Sequence, residues 1–358
     1  MAITFFKASC IPSFIFVLLF LLCNPSVSNA QTPPPLAPGL SYTFHQDDCP
    51  QLESIVRSQL ETEIAADVGQ AAGLLRVHFH DCFVLGCDGS VLLNGSASGP
   101  GEQLAPPNLT LRPRAFIIIE NIRSLVHEAC GPIVSCSDIT ALAARDSIVL
   151  SGGPNYSVPL GRRDGIEFAT ETVTLANLPP FNATAANLTI SLGAKGFDVT
   201  DVVALSGAHT IGRANCGSFE QRLIPTRDPT MNQAFYNNLI QTCPVVNTTN
   251  TTLMDIRSPN VFDNRYYVNL MNRQGLFTSD QDLYEDRSTR DIVTNFAVNQ
   301  TLFFESFVTA MIKMCQLNVT TGDQGEIRRN CSRTNAGNFV TLPGMDEKDN
   351  DNKKIASY

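Results

Sequence analysis

The sequence predicts an all-α fold, and three observations lead to this prediction. Apolar residues recur at spacings of three or four in several segments, as they do along one face of a helix. Segments with the alternating pattern of a half-buried strand are scarce. The composition, with 43% hydrophobic and 16% charged residues, is that of a globular chain able to bury a large interior.

Four long helices and one short helix are predicted. A helix from Ser135 to Leu150 should end at Gly152. Thr200 is predicted to cap a short helix over residues 201–205, because a threonine side chain can accept a hydrogen bond from the first turn. The apolar stripes of the other three helices are Leu52, Ile55, Val56 and Leu60; Ile118, Ile119, Ile122, Leu125 and Val126; and Phe303, Phe307, Met311 and Met314.

One strand candidate and two loop-rich stretches complete the secondary structure. Residues 157–160 precede the turn-rich residues 161–165, which favours a short hairpin. Residues 95–113 and 177–181 are predicted to be loops. Residues 336–358 are polar and poorly patterned, so we expect a disordered C-terminal extension or a propeptide.

The first thirty residues are predicted to be a secretory signal peptide. Lys7 supplies a positive start, residues 11–23 are apolar, and residues 28–30 are small before Gln31. A bilayer span needs ~20 apolar residues, and prolines cut this run short. No later segment is apolar enough to span, so we expect an exported chain without a membrane anchor.

Charge, cysteines and glycosylation sequons agree with export. The formal charge is −9, or −10 once Lys7 is removed, which argues against nucleic acid or anionic lipid as a partner. Eleven cysteines become nine when Cys10 and Cys23 leave with the signal, so disulfides and at least one free thiol are expected. Counting alone leaves the connectivity open. Ten Asn-x-Ser/Thr sites predict N-linked glycans, although single sequons often go unused.

The most informative stretch surrounds Arg76 and His80. On a helix the two side chains are one turn apart on one face, where together they could move a proton and stabilise a developing anion. Spacing alone also allows a solvated helix face. A zinc site of His78, His80 and Cys82 is disfavoured, because on a helix His78 is turned ~200° from His80 at ~100° per residue.

The other histidines are less informative on their own. His45 lies in a polar segment, and His127 lies beside Glu128 on an amphipathic helix, where a solvated position is expected. His209 follows an apolar helix and has small neighbours that would let a flat, bulky cofactor approach. A histidine at such a place is otherwise a cap or a hydrogen-bonded core residue.

Three specific motifs extend these observations. They are RVHFHDCFVxGCDGS at 76–90, LGRRD at 160–164 and LSGAHTIG at 205–212. With them the sequence resembles the class III secretory plant peroxidases, the horseradish peroxidase type, from Gln31 to about Asn335. The resemblance implies a haem-peroxidase fold, in which two helical lobes sandwich haem b, with a minor β-hairpin.

The resemblance also implies an activity. The protein would be a hydrogen-peroxide:donor oxidoreductase, a monomer that reduces peroxide to water and oxidises small phenolic donors in successive one-electron steps. It would be secreted to the cell wall, or sorted to the vacuole through the C-terminal extension. Residues 31–335 would form the peroxidase domain.

The motifs also imply site residues. His209 corresponds to the proximal ligand of the haem iron, and Asp280 to the carboxylate that binds its other nitrogen. His80 and Arg76 correspond to the distal pair that cleaves the peroxide O–O bond. The remaining positions are Asn108, which would hold His80 and so escape glycosylation; Glu102, the next member of that network; and Pro179, which would line the donor channel.

Two calcium ions and four disulfides follow from the same resemblance. The distal calcium site would contain Asp81, Val84, Gly86, Asp88 and Ser90. The proximal calcium site would contain Thr210, Asp255, Ser258, Val261 and Asp263. The disulfides would be Cys49–Cys130, Cys82–Cys87, Cys136–Cys331 and Cys216–Cys243, with Cys315 as a buried free thiol.

The sequence departs from the family pattern in three respects. It has no tryptophan, and Tyr156 stands where the family usually carries one. Cys315 is an additional cysteine, and the polar extension is longer than usual. A non-catalytic calcium-binding glycoprotein on the same scaffold is an alternative function. Such a protein would not need Arg76, His80, Asn108, His209 and Asp280 together. Intracellular peroxidases that oxidise ascorbate or cytochrome lack the export signal and the eight pairable cysteines.

Overall fold

Twelve α-helices and one two-stranded sheet form the part of the chain that the computed structural model describes, residues 34–96 and 99–336. The predicted signal peptide lies outside the described residues, as does the C-terminal extension apart from its first residue. The helices are α1 (Leu52–Ala66), α2 (Gly69–Val84), α3 (Pro113–Cys130), α4 (Cys136–Leu150), α5 (Glu171–Asn177), α6 (Ala185–Gly193), α7 (Val199–Ser206), α8 (Gln233–Thr242), α9 (Arg265–Met271), α10 (Thr278–Glu285), α11 (Arg290–Val298) and α12 (Gln300–Met314).

The predicted all-α fold is confirmed, and the apolar stripes lie in α1, α3 and α12. Leu125 is the exception, since it is exposed although it was assigned to the stripe of α3. Helix α4 begins one residue later than predicted, at Cys136, and ends at Leu150 as predicted. The Ser135 side chain accepts a hydrogen bond from the amide of Asp138 at 3.0 Å, and Gly152 takes up a φ of +95° beyond the other end. No helix in the described ranges is long and apolar enough to cross a membrane.

The predicted cap of α7 was wrong by two residues. Asp198, not Thr200, precedes the helix, and its carboxylate accepts from the amide of Asp201 at 2.9 Å. The Asp201 carboxylate in turn accepts from the amide of Asp198 at 2.9 Å. Such a reciprocal pair satisfies two amides at once, so it stabilises the helix start more than a single threonine cap does.

The predicted hairpin at 157–165 was also wrong. Leu160 makes an isolated bridge with Ser41, and Asp164 makes one with Glu326. The segment therefore pairs with the two ends of the domain instead of folding back on itself. The sheet lies elsewhere, where β1 (Arg213–Asn215) pairs antiparallel with β2 (Thr251–Leu253).

A buried ion pair anchors the same segment. The guanidinium of Arg162 donates to the Asp138 carboxylate at 2.8 Å and to the carbonyl of Cys315 at 2.8 Å. Asp138 also contacts His45 at 3.2 Å, so this histidine is buried and hydrogen-bonded despite its polar sequence context. The residues of the LGRRD motif thus connect the N-terminal segment, α4 and the end of α12.

One continuous apolar core runs through most of the helices. It contains side chains from α1 to α4, from α6 and α7, and from α9 to α12. A second, smaller cluster surrounds the sheet and α8. Within the main core, the fully buried ring of Phe303 lies 5.0 Å from Tyr267 and 5.7 Å from Phe307, measured between ring centroids.

The four predicted disulfides are all present, and Cys315 is free and buried. Cys136–Cys331 joins the start of α4 to the last described segment, across 195 residues. Cys82–Cys87 links the last turn of α2 to the loop that follows it. The Cys82–Cys87 bond therefore closes a loop inside the motif that carries Arg76 and His80.

We expect Phe303→Ala to lower the free energy of unfolding by about 3–5 kcal/mol, because it removes a fully buried ring and leaves a cavity. Val298→Ala is the control, since this side chain is 77% exposed and should change stability by less than ~0.5 kcal/mol. Denaturant titration of both variants measures the difference. Equal midpoints would show that Phe303 is not a core residue.

Candidate active site

Helix α2 presents Arg76 and His80 together. The Nε of Arg76 donates a hydrogen bond to Nε2 of His80 across 3.1 Å. A guanidinium has donors only, so Nε2 of His80 must be the acceptor and carries no proton. His80 is therefore the neutral tautomer with its proton on Nδ1.

Asn108 fixes the other side of the same ring. Its Oδ1 lies 2.5 Å from Nδ1 of His80 and accepts that proton. Its Nδ2 donates to the main-chain carbonyl of Glu102 at 2.8 Å, which fixes the orientation of the amide. Both side chains are buried. The Asn108 sequon is therefore closed to a glycan.

Glu102 contacts Asn108 through its main chain. Its carbonyl, not its carboxylate, binds Asn108, and the carboxylate accepts from the amide of Ala169 at 2.8 Å. Burial raises the pKa of the Glu102 carboxyl to about 7. A sequence motif identifies the residue but does not distinguish its main chain from its side chain.

Arg76 is held by two carbonyls that no motif indicated. It donates to the carbonyl of Pro107 at 2.8 Å and to that of Thr110 at 2.9 Å. Burial lowers the pKa of Arg76 to about 10, so it stays charged at neutral pH. Burial and this nearby charge lower the pKa of His80 from 6.5 to about 3. The pair thus combines a fixed cation with an unprotonated base.

His209 lies in a 3-10 turn that follows α7. Its Nδ1 donates to Oδ1 of Asp280, at the start of α10, across 2.7 Å. The imidazole is 40% exposed although Nδ1 is bound, so Nε2 is the nitrogen left for a ligand bond. The predicted proximal pair is therefore brought together from positions 71 residues apart.

Two further residues hold Asp280. The amide of Phe277 donates to its Oδ2 at 2.8 Å, and the hydroxyl of Tyr266 donates to its Oδ1 at 2.9 Å. Burial and the Asp280 charge raise the pKa of Tyr266 well above its usual value, so this hydroxyl keeps its proton. Sequence reasoning missed Tyr266, because nothing in its local pattern separates it from a core tyrosine.

The proximal turn meets the helix face that carries the distal pair. Ala72, Arg76 and His80 follow one another at intervals of four residues on α2. A Cβ added to Gly212, three residues after His209, would lie 2.9 Å from Cβ of Ala72. At ~1.5 Å rise per residue, Arg76 and His80 lie ~6 and ~12 Å further along the helix. The two histidine clusters therefore border the same region.

The residues predicted for the distal calcium site all lie at the end of α2 and in the following turn. Asp81 accepts from the amides of Gly89 and Val91 at 3.0 and 3.4 Å, and Asp88 accepts from the amide of Ser90 at 3.0 Å. Burial and the Asp88 charge raise the pKa of Asp81 well above its usual value. A hard cation would relieve this repulsion. The other two predicted residues are the last residue of α2, Val84, and Gly86, at a φ of +136°.

The residues predicted for the proximal calcium site also converge. Oγ1 of Thr210 lies 3.4 Å from Asp255, 3.5 Å from the carbonyl of Val261 and 3.3 Å from Asp263, and Oγ of Ser258 donates to Asp263 at 3.0 Å. Among the described residues, no three or more His, Cys, Asp or Glu side chains are grouped so that they could hold a metal ion by themselves. Each predicted cage contains two carboxylates, and hydroxyl or carbonyl oxygens, which calcium accepts, provide the rest.

The loop after α5 approaches the proximal side. Pro179 is half-buried there, and Phe181 is 42% exposed. The ring of Phe181 lies 6.3 Å from that of Phe277, which lies 5.4 Å from the imidazole of His209. An exposed aromatic side chain is thus two ring contacts from the predicted iron ligand.

A model of the family described as peroxidase matches residues 56–299. The chain belongs to the peroxidase family. It is 59% identical to Peroxidase 12 of Arabidopsis thaliana, over 86% of each chain. It is 57% identical to cationic peroxidase SPC4 of Sorghum bicolor, over 87% of this chain and 86% of that one, and 42% identical to Peroxidase 54 of Arabidopsis thaliana, over 96% of each.

The predicted class is thereby confirmed, and the chain is a class III plant peroxidase. It reduces hydrogen peroxide and oxidises a donor, and the family implies a haem. The residues present fit that group, because His209 is a half-exposed imidazole with one nitrogen bound and the other available. His78 lies outside this arrangement, buried beside the disulfide sulfur of Cys82.

We expect the His80 ring to stay neutral from about pH 4 to pH 8. Its pKa of about 3 lies below the usual 6.5, so protonation is suppressed until the pH approaches 3. In ¹⁵N NMR spectra of histidine-labelled protein, Nδ1 should appear protonated and Nε2 unprotonated throughout this range. A titration of His80 with a midpoint near 6.5 would contradict the burial of the pair.

Proposed function

We propose that this peroxidase oxidises small phenolic donors in successive one-electron steps, after His80 and Arg76 have split hydrogen peroxide. The observation that carries the proposal is the fixed tautomer of His80, whose Nε2 lone pair lies beside a buried cation. Haem b, when bound, would supply the electron transfer to peroxide and from the donor. Proton transfer, charge stabilisation and binding of the haem would depend on side chains of the protein.

His80 would work as a base and then as an acid. Its Nε2 would accept a proton from one oxygen of hydrogen peroxide and return it to the other oxygen. That second oxygen would then leave as water, with the electrons supplied by the haem. Arg76 stabilises the negative charge that develops as the O–O bond lengthens, because a fixed cation costs no reorganisation at that moment. Asn108 keeps the Nδ1 proton in place, so the ring cannot turn its wrong nitrogen to the substrate.

His209 would bind the haem iron through Nε2. The hydrogen bond from Nδ1 to the Asp280 carboxylate makes the imidazole a stronger electron donor, which favours the oxidised states of the metal. Burial strengthens this effect, since Asp280 is 1% exposed and little water screens its charge.

Phenolic donors would approach along the loop that contains Pro179 and Phe181. The loop offers an apolar, partly exposed edge close to the proximal histidine. An aromatic donor could pack against Phe181 with its hydroxyl directed inward, since tilted aromatic pairs gain energy beyond simple burial. Hydrogen peroxide is small enough not to need such a surface.

Calcium ions would occupy both oxygen clusters. Asp81 is next to His80 in sequence, and Thr210 is next to His209, so each ion would fix the backbone beside one functional histidine. Burial and a neighbouring carboxylate raise the pKa of Asp81 in one cluster and that of Asp255 in the other, and a bound cation would oppose both shifts.

We further propose that the protein is a secreted, N-glycosylated monomer. Four disulfides in one domain are typical of an oxidising compartment. Five sequons that we favour for glycosylation are exposed, at Asn182, Asn187, Asn247, Asn250 and Asn299. Residues 1–30 would direct export to the cell wall, and residues 336–358 would provide the alternative route to the vacuole.

Steady-state turnover of a panel of monolignols, simple phenols and ascorbate tests the proposed class of donor. A preference for ascorbate would contradict the proposal that the donors are phenolic.

We expect His80→Ala to slow the reaction with hydrogen peroxide by at least ~10²–10⁴-fold, because the substitution removes the base that takes and returns the proton. Stopped-flow absorbance with excess peroxide measures the rate. The haem absorption band should persist, since His209 is unchanged. His127→Ala is the control, because this half-buried ring contacts Arg123 on α3, outside the site, and should react normally. A normal rate in His80→Ala would refute the assignment.

We expect removal of calcium by a chelator to lower the melting temperature and to speed the loss of haem. Without the cations, the repulsion between Asp81 and Asp88 and that between Asp255 and Asp263 are uncompensated. Calcium, added back, should restore both properties, whereas magnesium should not, because it prefers a smaller octahedral site. Unchanged melting and haem retention after chelation would exclude structural calcium.

A further inference from the structure

Asp280 gives one oxygen to two donors. Its Oδ1 accepts from Nδ1 of His209 at 2.7 Å and from the hydroxyl of Tyr266 at 2.9 Å. Its Oδ2 is occupied by the amide of Phe277 at 2.8 Å. Asp280 and Tyr266 are 1% and 2% exposed, so water does not replace or screen these bonds. The carboxylate that acts on His209 is therefore shared.

Sharing changes how strongly the carboxylate attracts the imidazole proton. Each hydrogen bond donated to a carboxylate stabilises its charged form and makes it a weaker base. The hydroxyl of Tyr266 competes at the same oxygen as His209, so it acts on the relevant lone pairs. The Nδ1 proton therefore stays closer to the imidazole than it would if Oδ1 of Asp280 accepted a hydrogen bond from His209 alone.

We propose that Tyr266 is a positioning residue that limits the electron donation of His209 by sharing the oxygen of Asp280. The proposal rests on the proposed role of His209 as the iron ligand. Tyr266 touches neither substrate nor iron and acts through Asp280 alone. Its removal leaves Asp280 with His209 as the sole donor to Oδ1, and the imidazole becomes more imidazolate-like.

The neighbouring residue of α9 offers a matched control. Tyr267 is also fully buried, but its hydroxyl donates to the carbonyl of Val203 in α7 at 2.9 Å. The same hydroxyl also lies 3.4 Å from the carbonyl of Ala204. Tyr267→Phe and Tyr266→Phe therefore each remove one buried hydroxyl, with the hydrogen bonds that it donates, from the same helix. Only Tyr266→Phe changes the charge distribution on Asp280.

The test compares the two variants as haem-loaded proteins. Tyr266→Phe should shift the equilibrium between ferric and ferrous iron about tenfold toward ferric, which for a one-electron couple is ~59 mV more negative. Spectroelectrochemical titration measures this shift. Resonance Raman spectra of the ferrous protein should show the iron–histidine stretch at higher frequency. Tyr267→Phe should leave both observables at the wild-type values, even where it lowers the melting temperature equally.

Three outcomes would overturn the proposal. An unchanged or more positive potential in Tyr266→Phe would mean that the hydroxyl orients Asp280 without competing for it. Equal shifts in both variants would mean a general packing effect. A wild-type protein that lacks an iron–histidine stretch would refute His209 as the ligand, and with it both the proposed function and this inference. Asp280→Asn is the reference for the opposite direction, because loss of the carboxylate charge should make the ferric/ferrous potential more positive.

Discussion

One nitrogen of each functional imidazole is committed to a buried hydrogen bond, and the chemistry of the site depends on this constraint. Nδ1 of His80 binds a neutral amide oxygen, and Nδ1 of His209 binds a carboxylate. Because the two acceptors differ, the same hydrogen-bond geometry gives the two imidazoles different chemical properties. The amide leaves His80 a neutral base beside Arg76, whereas the carboxylate makes His209 electron-rich. In each case Nε2 is the nitrogen that remains for reaction or ligation.

The fold serves mainly to hold the acceptors in place. Asn108 lies in a loop region after α2, and Asp280 begins a helix far along the chain, so neither position is set locally. The main chain of Glu102 orients Asn108, and the amide of Phe277 with Tyr266 orients Asp280. Such outer contacts decide the tautomer of His80 and the charge that acts on His209, and each atom that makes one of them has its hydrogen-bond partner.

Much of the fold was readable from local pattern. Helix α4 was predicted to within one residue because its glycine stop is a local signal, and α1, α3 and α12 followed from apolar periodicity. The hairpin near Leu160 failed because its partners, Ser41 and Glu326, are distant in sequence. The cap of α7 failed because a threonine and an aspartate two residues apart offer similar signals, and only the reciprocal bonds with Asp201 separate them.

The sequence by itself determined the class of fold, through apolar periodicity, and the peroxidase family, through three motifs. The resemblance to that family, and not spacing alone, implied the four disulfide pairs and the roles of the two histidines. Only the tertiary structure decided which atoms act. It assigned the proton of His80 to Nδ1, showed that Asn108 binds the main-chain carbonyl of Glu102, and brought Tyr266 to an oxygen of Asp280. The physical reason is that a hydrogen bond depends on the position and direction of single atoms, which packing between distant segments sets and a linear motif does not encode.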